Sequence, residues 1–456
     1  MNASPLCGLL ARQAREQGAR VAVVSEAEGL SLSFAEVALH VERWAGRLDE
    51  IGAGNVVALA VGNSVAFVEL VFALRARGAI LLAIDASHSP AAVAGQVGAR
   101  WLLWRHEGRE VGDGVRLLRV GDGRALPEGA AFVKLTSANT VSPRGAIFTE
   151  DALVEGVGHI RDGMALTHND VVLITIPLSH SYGFDSGVLS LAAIGTPLVI
   201  QPDVVPAAVR ATIAKHGVTF WPAVPALLRA ISAGTSSGNG SHALKRIISA
   251  SAPLSREVAD AVVAALGVRV QEFFGATEAG GIAFETRPAD PDAGGTVGLP
   301  MPGVRIEIVD GCVRVHSKAN RFAMVSEGGV ETSPSYVDTG DRASFTPAGR
   351  IVLLGRTVHI ANVGGVKVDL AAIETFFRGV PGVSDAAALA VADAARGECV
   401  VVCVETLART RDELRALVKQ ELTAREVPRD IRVVPCLPRT ERGKVDRIAL
   451  EGIVRV

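Results

Sequence analysis

Long hydrophobic runs are missing from this sequence of 456 residues. Its most apolar stretches, such as VVLITIPL after Asp170, are strand-length, and none reaches the roughly 20 residues that a membrane span needs. No membrane span is therefore expected, although the mean hydropathy is high at +0.32. A basic excess is missing as well: 46 Lys and Arg stand against 48 Asp and Glu, a formal charge of −2. That balance argues against a nucleic-acid partner, which usually demands a strongly positive face. The opening residues MNASPLCGLLARQAREQ lack a basic start followed by a long apolar block, so no secretory signal is expected and the chain is read as cytoplasmic. Cysteine is sparse, with five in the chain. Cys399 and Cys403 lie in the strand-like ECVVVCVE, on one side and about 13 Å apart, too far to share a disulfide or a metal. They read as small buried hydrophobes in a reducing compartment. No G-x-G-x-x-G lies between a strand and a helix, which disfavours a nicotinamide oxidoreductase. Internal repeats and low-complexity tracts are also absent.

What is present is a globular composition, with 49% apolar residues, 21% charged residues and 48 glycines. The length exceeds one ordinary core and predicts at least two domains. From Val21 to about Arg105 short apolar strands alternate with amphipathic helices. SFAEVALHVERWAGRL opens with Ser33 and Glu36 at capping-box spacing, and a helix from Val65 can close at Gly78. Residues 108–129 read as loop and hairpin, after which the alternation resumes through KRIISAS. A breaker-rich segment, TRPADPDAGGTVGLPMPG, ends it, and β-rich pieces follow with a hairpin at 347–349. The last hundred residues carry their own helices (370–377, 411–421) and strands. The expected fold class is α/β. A large layered domain of β-sheets covered by helices spans 1–355, and a small mobile α+β domain spans 356–456.

Five stretches hold side chains suited to chemistry. The first, TSANTVSPRGA at 136–146, crowds hydroxyl and amide groups around a Pro-Arg-Gly turn between strand-like AAFVKL and helix-like DALVEGVGHI. An α/β protein often holds an anion at such a place, though a polar surface turn explains this stretch alone. The second is IPLSHSYGFDSG at 176–187, where His180 is a candidate ligand or simply a satisfied histidine. The third pairs SASAPLS at 249–255 with EFFGATEAGG at 272–281; the carboxylate of Glu278 suits a hard cation. The fourth is YVDTGDRASF followed by GRIVLLGRTVHIANVGGVKVD; Asp341 can accept two O–H bonds at once. The fifth is LPRTERGKVDRIAL at 437–450, and it is no Walker loop, lacking the earlier glycine and the following Ser or Thr.

In this order and spacing the five stretches resemble the adenylate-forming family of acyl-CoA synthetases, aryl-CoA ligases, adenylation domains and luciferases, across nearly the whole chain. The first is similar to TSG-S/T-TG-x-PKG. Thr136, Ser137, Thr140, Pro143 and Gly145 match, Ala138 and Val141 replace glycines, Asn139 replaces a hydroxyl residue, and Arg144 replaces lysine. The resemblance implies that Thr136, Ser137, Thr140 and Arg144 hold ATP phosphates, arginine keeping the charge. Val141 resists the positive φ that glycine accepts, so weak ATP affinity or slow adenylation is expected. By the same resemblance His180 meets the carboxylate end of the acid, and Gly280 and Gly281 leave room beside the acyl chain. Asp185, at a position similar to an amine anchor of adenylation domains, is discounted on spacing. Ser251, Ala252 and Pro253, with Phe274 and Gly275, take adenine; Thr277 meets the α-phosphate and Glu278 holds Mg²⁺. Asp341 clamps the ribose and Arg356 is its partner at the hinge, where Val358 provides no charged pivot. Gly364, Gly365 and Lys367 line the thiol tunnel, or form a structural turn. Lys444 bridges the acyl carboxylate and the α-phosphate, stabilising charge that accumulates in the transition state.

The function so implied is ATP-dependent activation of a fatty or aryl carboxylic acid to an acyl-adenylate with release of pyrophosphate. Transfer to a thiol follows after the small domain turns about 355–358. Coenzyme A is the expected acceptor because no carrier domain is fused; a phosphopantetheinyl acyl carrier protein is the alternative partner. The competing class is a degenerate protein that binds nucleotide or acyl-adenylate without turnover, motivated by Ala138, Val141, Ser251 and Val358. Glu278, Asp341, Arg356 and Lys444 argue the other way.

Overall fold

The computed structural model describes residues 4–85, 90–136, 144–233, 242–286, 296–356, 360–363, 366–393, 397–421, 428–440 and 443–455. The expectations placed on Ser137, Ala138, Thr140, Val141, Val358, Gly364 and Gly365 lie outside these residues. The chain divides into two compact units. One comprises 1–306, 314–337 and 349–351; the other comprises 307–313, 338–348 and 352–456.

The first unit is built on two nine-stranded sheets. Across the first, the order is Leu299–Pro300, Gly280–Phe284, Val270–Ala276, Arg246–Ser249, Phe220–Ala223, Val172–Ile174, Leu198–Ile200, Val21–Ser25 and Leu30–Ser33. Across the second it is Gly329–Thr332, Ala323–Ser326, Gly145–Phe148, Phe132–Leu135, Ile80–Ala83, Val56–Leu59, Trp101–Trp104, Val115–Arg119 and Arg109–Gly112. The inner strands VVAL, ILLA and FWPA are parallel to their neighbours and buried along their whole length, as strands covered on both faces must be. One apolar core joins the two sheets, running from Val23, Ile174 and Phe220 to Leu59, Leu81 and Phe148. Between them the helix Val65–Ala76 is buried on every side from Val65 to Leu74. Separate cores cover the outer faces. Helices Pro206–Lys215, Pro225–Ala233 and Arg256–Leu266 pack on the first sheet, and Pro90–Val97 packs on the second. The result is the alternation of helix and sheet layers that the β–α pattern predicts.

Local signals behave as their chemistry dictates. Ser33 and Glu36 form the capping box at the start of Phe34–Arg47, and Gly78 turns at φ +71° after Val65–Ala76. Glu150 is buried and takes a first-turn amide of the N-terminal helix: it accepts from Arg75 Nε at 2.5 Å, from Ser4 Oγ at 2.9 Å and from the Leu6 amide at 3.0 Å. This fixes the N-terminal helix Pro5–Gln17 to the core.

One expectation is corrected. Residues 136–146 do not join a strand to a helix. Gly145–Phe148 is itself a strand, antiparallel to Phe132–Leu135, and the helix Glu150–Gly163 starts only after it, capped by Thr149. The helix-dipole reason for anion binding therefore does not apply to this loop. GAIF is too short for periodicity to tell a strand from a helical lead-in.

In the second unit the strands Asp385–Asp393 and Gly397–Glu405 pair along nine residues, flanked by Ile360–Val363, Val366–Asp369 and Asp430–Val434. Alternate residues face two cores. Ala386, Ala388, Val402 and Val404 pack with Ile373, Phe377 and Leu414, while Ala387, Val401 and Cys403 pack with Leu437 and Leu450. Cys399 and Cys403 are buried, as expected, and form no disulfide with one another.

Candidate active site

The strand pair Phe132–Leu135 and Gly145–Phe148 holds the two ends of the 136–146 segment. The Thr136 amide donates to the Arg144 carbonyl at 2.9 Å, and its hydroxyl reaches the same oxygen at 3.3 Å. Gly145 follows for a packing reason: a Cβ there would lie 2.3 Å from Val133 Cγ1 and 2.9 Å from Val325 Cγ1. Arg144 is exposed and has Glu331 at 4.0 Å, a loose surface pair that leaves its guanidinium available to an anion.

Thr277 and Glu278 occupy the turn between Val270–Ala276 and Gly280–Phe284. The Ala279 amide closes it on the Ala276 carbonyl at 3.1 Å, and Gly280 leaves it at φ +69°, the left-handed position such hairpins require. The Arg321 amide donates to the Glu278 carbonyl at 2.9 Å. Both side chains are half-buried. Gly281 has no space for a methyl group, which would lie 2.8 Å from Met301 Sδ.

Strand Arg246–Ser249 runs parallel beside Val270–Ala276, so the 250–254 loop and the FGATE segment leave neighbouring C-terminal strand ends. Open α/β sheets bind ligands at such ends. Ser251, where the family motif has glycine, keeps the glycine conformation at φ +75°. Ser251, Ala252 and Pro253 are exposed, Gly275 is exposed, and Phe274 is buried at 6%. Glu272 ties this region together, its carboxylate bonding the Leu254 amide. Burial, with Glu285 nearby adding to it, pushes its carboxyl up to about 7.

His180 caps the short helix Ser181–Phe184, its Nδ1 accepting from the Tyr182 amide at 3.4 Å. Asn63 holds the approach, donating to the Ile176 carbonyl at 3.0 Å and accepting from the Leu178 amide at 2.7 Å. Gly183 is obligatory, because a Cβ would lie 2.2 Å from the Pro177 carbonyl oxygen. The helix continues as a π-helical turn, Asp185–Leu189, an irregularity common at functional positions. At its start Asp185 Oδ1 lies 2.5 Å from Lys134 Nζ, both side chains buried. Burial pushes the Asp185 carboxyl up, and Lys134 offsets part of that. The ammonium also lies 5.1 Å and 5.6 Å from the Phe148 and Phe184 ring centres. Sequence reasoning missed Lys134; a lysine inside the apolar strand FVKL was its only signal.

In the second unit Asp341 lies within Tyr336–Phe345, half-buried, just after Gly340 at φ +73°. The Asp341 amide donates to Thr339 Oγ1 at 3.1 Å, so the TGD sequence forms a local kink inside a strand. Arg356 ends the strand Ile351–Arg356, and Lys367 lies opposite Asn362 in an antiparallel pair, the expected hairpin. Lys444 is half-buried on a tight turn: its carbonyl accepts from the Thr440 amide at 2.8 Å, and Gly443 precedes it at φ +71°. Two arginines build the scaffold of this turn. Arg439 donates to the Gly443 carbonyl at 3.2 Å and pairs with Asp385 at 2.7 Å and Glu405 at 3.3 Å. Arg447 donates to the Ala388 carbonyl and to Glu374, each at 2.7 Å.

Among the described residues no group of three or more His, Cys, Asp or Glu side chains is placed to hold a metal. Among the described residues no helix is long and apolar enough to cross a membrane.

The AMP-binding enzyme family matches residues 10–100 and 105–316, and the AMP-binding enzyme C-terminal domain matches 372–444. This chain belongs to the AMP-binding enzyme family. It is 29% identical over 350 residues to a salicylyl-CoA synthase / salicylate adenylyltransferase of a Streptomyces species, covering 71% of this chain and 63% of that protein. It is 26% identical to an oxalate–CoA ligase of Arabidopsis thaliana over 98% of both chains. A 4-coumarate–CoA ligase of Oryza sativa subsp. japonica is 25% identical over 94% of this chain and 90% of its own. ATP-bound MatB from Rhodopseudomonas palustris superposes with a TM-score of 0.83 at 20% identity, over 98% of this chain and 99% of that one. The amide bond synthetase McbA from Marinactinospora thermotolerans gives 0.81 at 24% over 98% and 100%. These two likenesses establish the fold.

Proposed function

We propose that this protein joins an aryl carboxylic acid to coenzyme A in two steps. In the first, the carboxylate oxygen attacks the α-phosphorus of ATP, the bond to the β-phosphate breaks, and pyrophosphate leaves. In the second, the thiolate sulfur of coenzyme A attacks the acyl carbon and AMP leaves with its electron pair. The observation that carries the reading is the joint retention of Thr277 and Glu278 on the turn beside the 250–254 loop and of Lys444 on its braced turn. A protein that only binds nucleotide has no use for the lysine. The aryl assignment is supported by the salicylyl-CoA and 4-coumarate–CoA enzymes among its relatives.

Each side chain has a role in that chemistry. Thr136 and Arg144, with Ser137 and Thr140, take the β- and γ-phosphates; Ser251, Ala252, Pro253, Phe274 and Gly275 take adenine; Asp341 and Arg356 take the ribose. Thr277 orients the α-phosphate. Glu278 takes Mg²⁺, which when bound neutralises phosphate charge. His180 with Gly280 and Gly281 orients the acid, and Gly364, Gly365 and Lys367 meet the pantetheine arm. Lys444 supplies charge where the pentavalent transition state gathers it, without moving a proton. The functional boundary falls at 355–356, at a glycine with φ +105° whose Cβ would lie 2.4 Å from Ala371 Cβ. Incubation with Mg·ATP, coenzyme A and an acid panel, followed by mass spectrometry for the thioester, tests the reading. Acyl-adenylate without thioester would move the acceptor to a carrier protein.

A further inference from the structure

We propose that the buried Lys134–Asp185 pair reads a hydroxyl group on the acid, so that the preferred substrates are hydroxy acids. The inference rests on the ligase reading above and specifies its substrate. Beside the pair lies a cavity of about 10 Å³, bordered by Phe148, Gly156, Gly280 and Ala319. That is the room one oxygen atom fills, as a water or as a hydroxyl. Gly280 places the cavity next to the Thr277–Glu278 turn, beside the glycines proposed above to orient the acid. Phe148 and the small residues 156 and 319 offer an otherwise apolar wall.

The charges decide what enters. Lys134 has three N–H donors, and among the described residues its hydrogen-bond partner is Asp185 Oδ1, at 2.5 Å. Two donors and the second carboxylate oxygen of Asp185 remain for a guest. A carboxylate there would face Asp185 with like charge, and an ammonium would face Lys134. A methyl or hydrogen would leave the remaining polar atoms of the pair unpaired in an apolar wall, which is costly. A hydroxyl satisfies both groups, accepting from the ammonium and donating to the carboxylate. A site that hydrogen-bonds a substrate hydroxyl discriminates far more strongly than one that only fits a methylene.

The test uses the full chain and sets of acids, aliphatic and aromatic, that carry hydrogen, hydroxyl, amino or carboxylate at one matched position. Pyrophosphate release gives kcat/KM for each. The wild type is expected to favour a hydroxy acid over its other three analogues by about 100-fold or more. In Lys134→Met/Asp185→Leu, an apolar replacement of similar volume, that preference falls to within about 5-fold of unity. Asp185→Asn is the second variant; it replaces the accepting oxygen by an N–H donor and lowers kcat/KM for the hydroxy acid at least about 10-fold. Thermal unfolding of each variant confirms that it is folded. Equal wild-type rates across every set, or a preference that survives in the folded double variant, would overturn the proposal while leaving the ligase reading intact. Absence of pyrophosphate release with every acid would instead remove the ligase reading, and this inference with it.

Discussion

Arg439 Nη2 lies 2.7 Å from Asp385 Oδ2, and the same guanidinium reaches the carbonyl of Gly443, the residue before Lys444. Asp385 is held below the ordinary carboxylate range: burial alone would raise it, and Arg378, Arg439 and the Ala386 amide more than compensate. The lysine turn is thus fastened to the strand Asp385–Asp393 by an ion pair, in addition to its own short backbone ladder. Arg439→Met should lower adenylation by about 100-fold, the cost of a small misplacement of a charged group, while KM for ATP changes little. Steady-state kinetics with a saturating acid checks this. Equal loss in kcat and in protein stability would assign Arg439 a merely structural part.

Ser251 stands at φ +75°, where an L-residue pays about 1–2 kcal/mol relative to its usual conformations. Ser251→Gly should therefore raise stability by about 1 kcal/mol, and Ser251→Val should lower it by a similar amount because β-branching worsens the clash. Chemical denaturation of the first unfolding transition is the measurement.

Glu272 gives a pH dependence with a definite sign. Its carboxyl titrates at about 7 when folded, against 4.5 as its ordinary value. Between those values the folded state binds the extra proton, so stability is highest below pH 4.5 as far as this group is concerned. It declines as pH rises to about 7 and is flat beyond. The full span is on the order of 3 kcal/mol. Glu272→Gln, which can still accept from the Leu254 amide, should abolish this slope and be the more stable protein at pH 8. Unfolding free energies of both proteins at pH 5, 6, 7 and 8 decide it.

Arg144 is exposed beside a loose partner, Glu331 at 4.0 Å, and the proposed function assigns its charge to the ATP phosphates. Arg144→Ala should raise KM for ATP by about 10-fold, and Glu331→Ala should change it by less than about 2-fold. A similar effect from both would tie Arg144 to the surface pair instead.

Much of the layered fold was legible in the chain. Four-residue apolar strands alternate with capped helices, and Ser33, Glu36 and Gly78 mark ends that sterics and hydrogen bonding leave little freedom to move. The turns that carry the candidate residues were legible because glycines mark them: Gly280 beside Glu278, Gly340 beside Asp341, Gly443 beside Lys444. The 136–146 segment was misread because GAIF lacks the length that separates a strand from a helical run. Lys134 and Asp185 are 51 residues apart, and only the packing of a strand against a π-helical turn brings them together. Arg439 and Asp385 meet by the same kind of long-range pairing, which local pattern does not encode.

The central claim is acid activation through Lys444, and pyrophosphate release under Mg·ATP measures it most directly. With hydroxylamine to capture the acyl-adenylate and the panel of acids described above, the wild type should release pyrophosphate acid-dependently. Lys444→Ala should be slower by about 100-fold or more. Release with no acid in the panel exceeding the Lys444→Ala background would contradict the account.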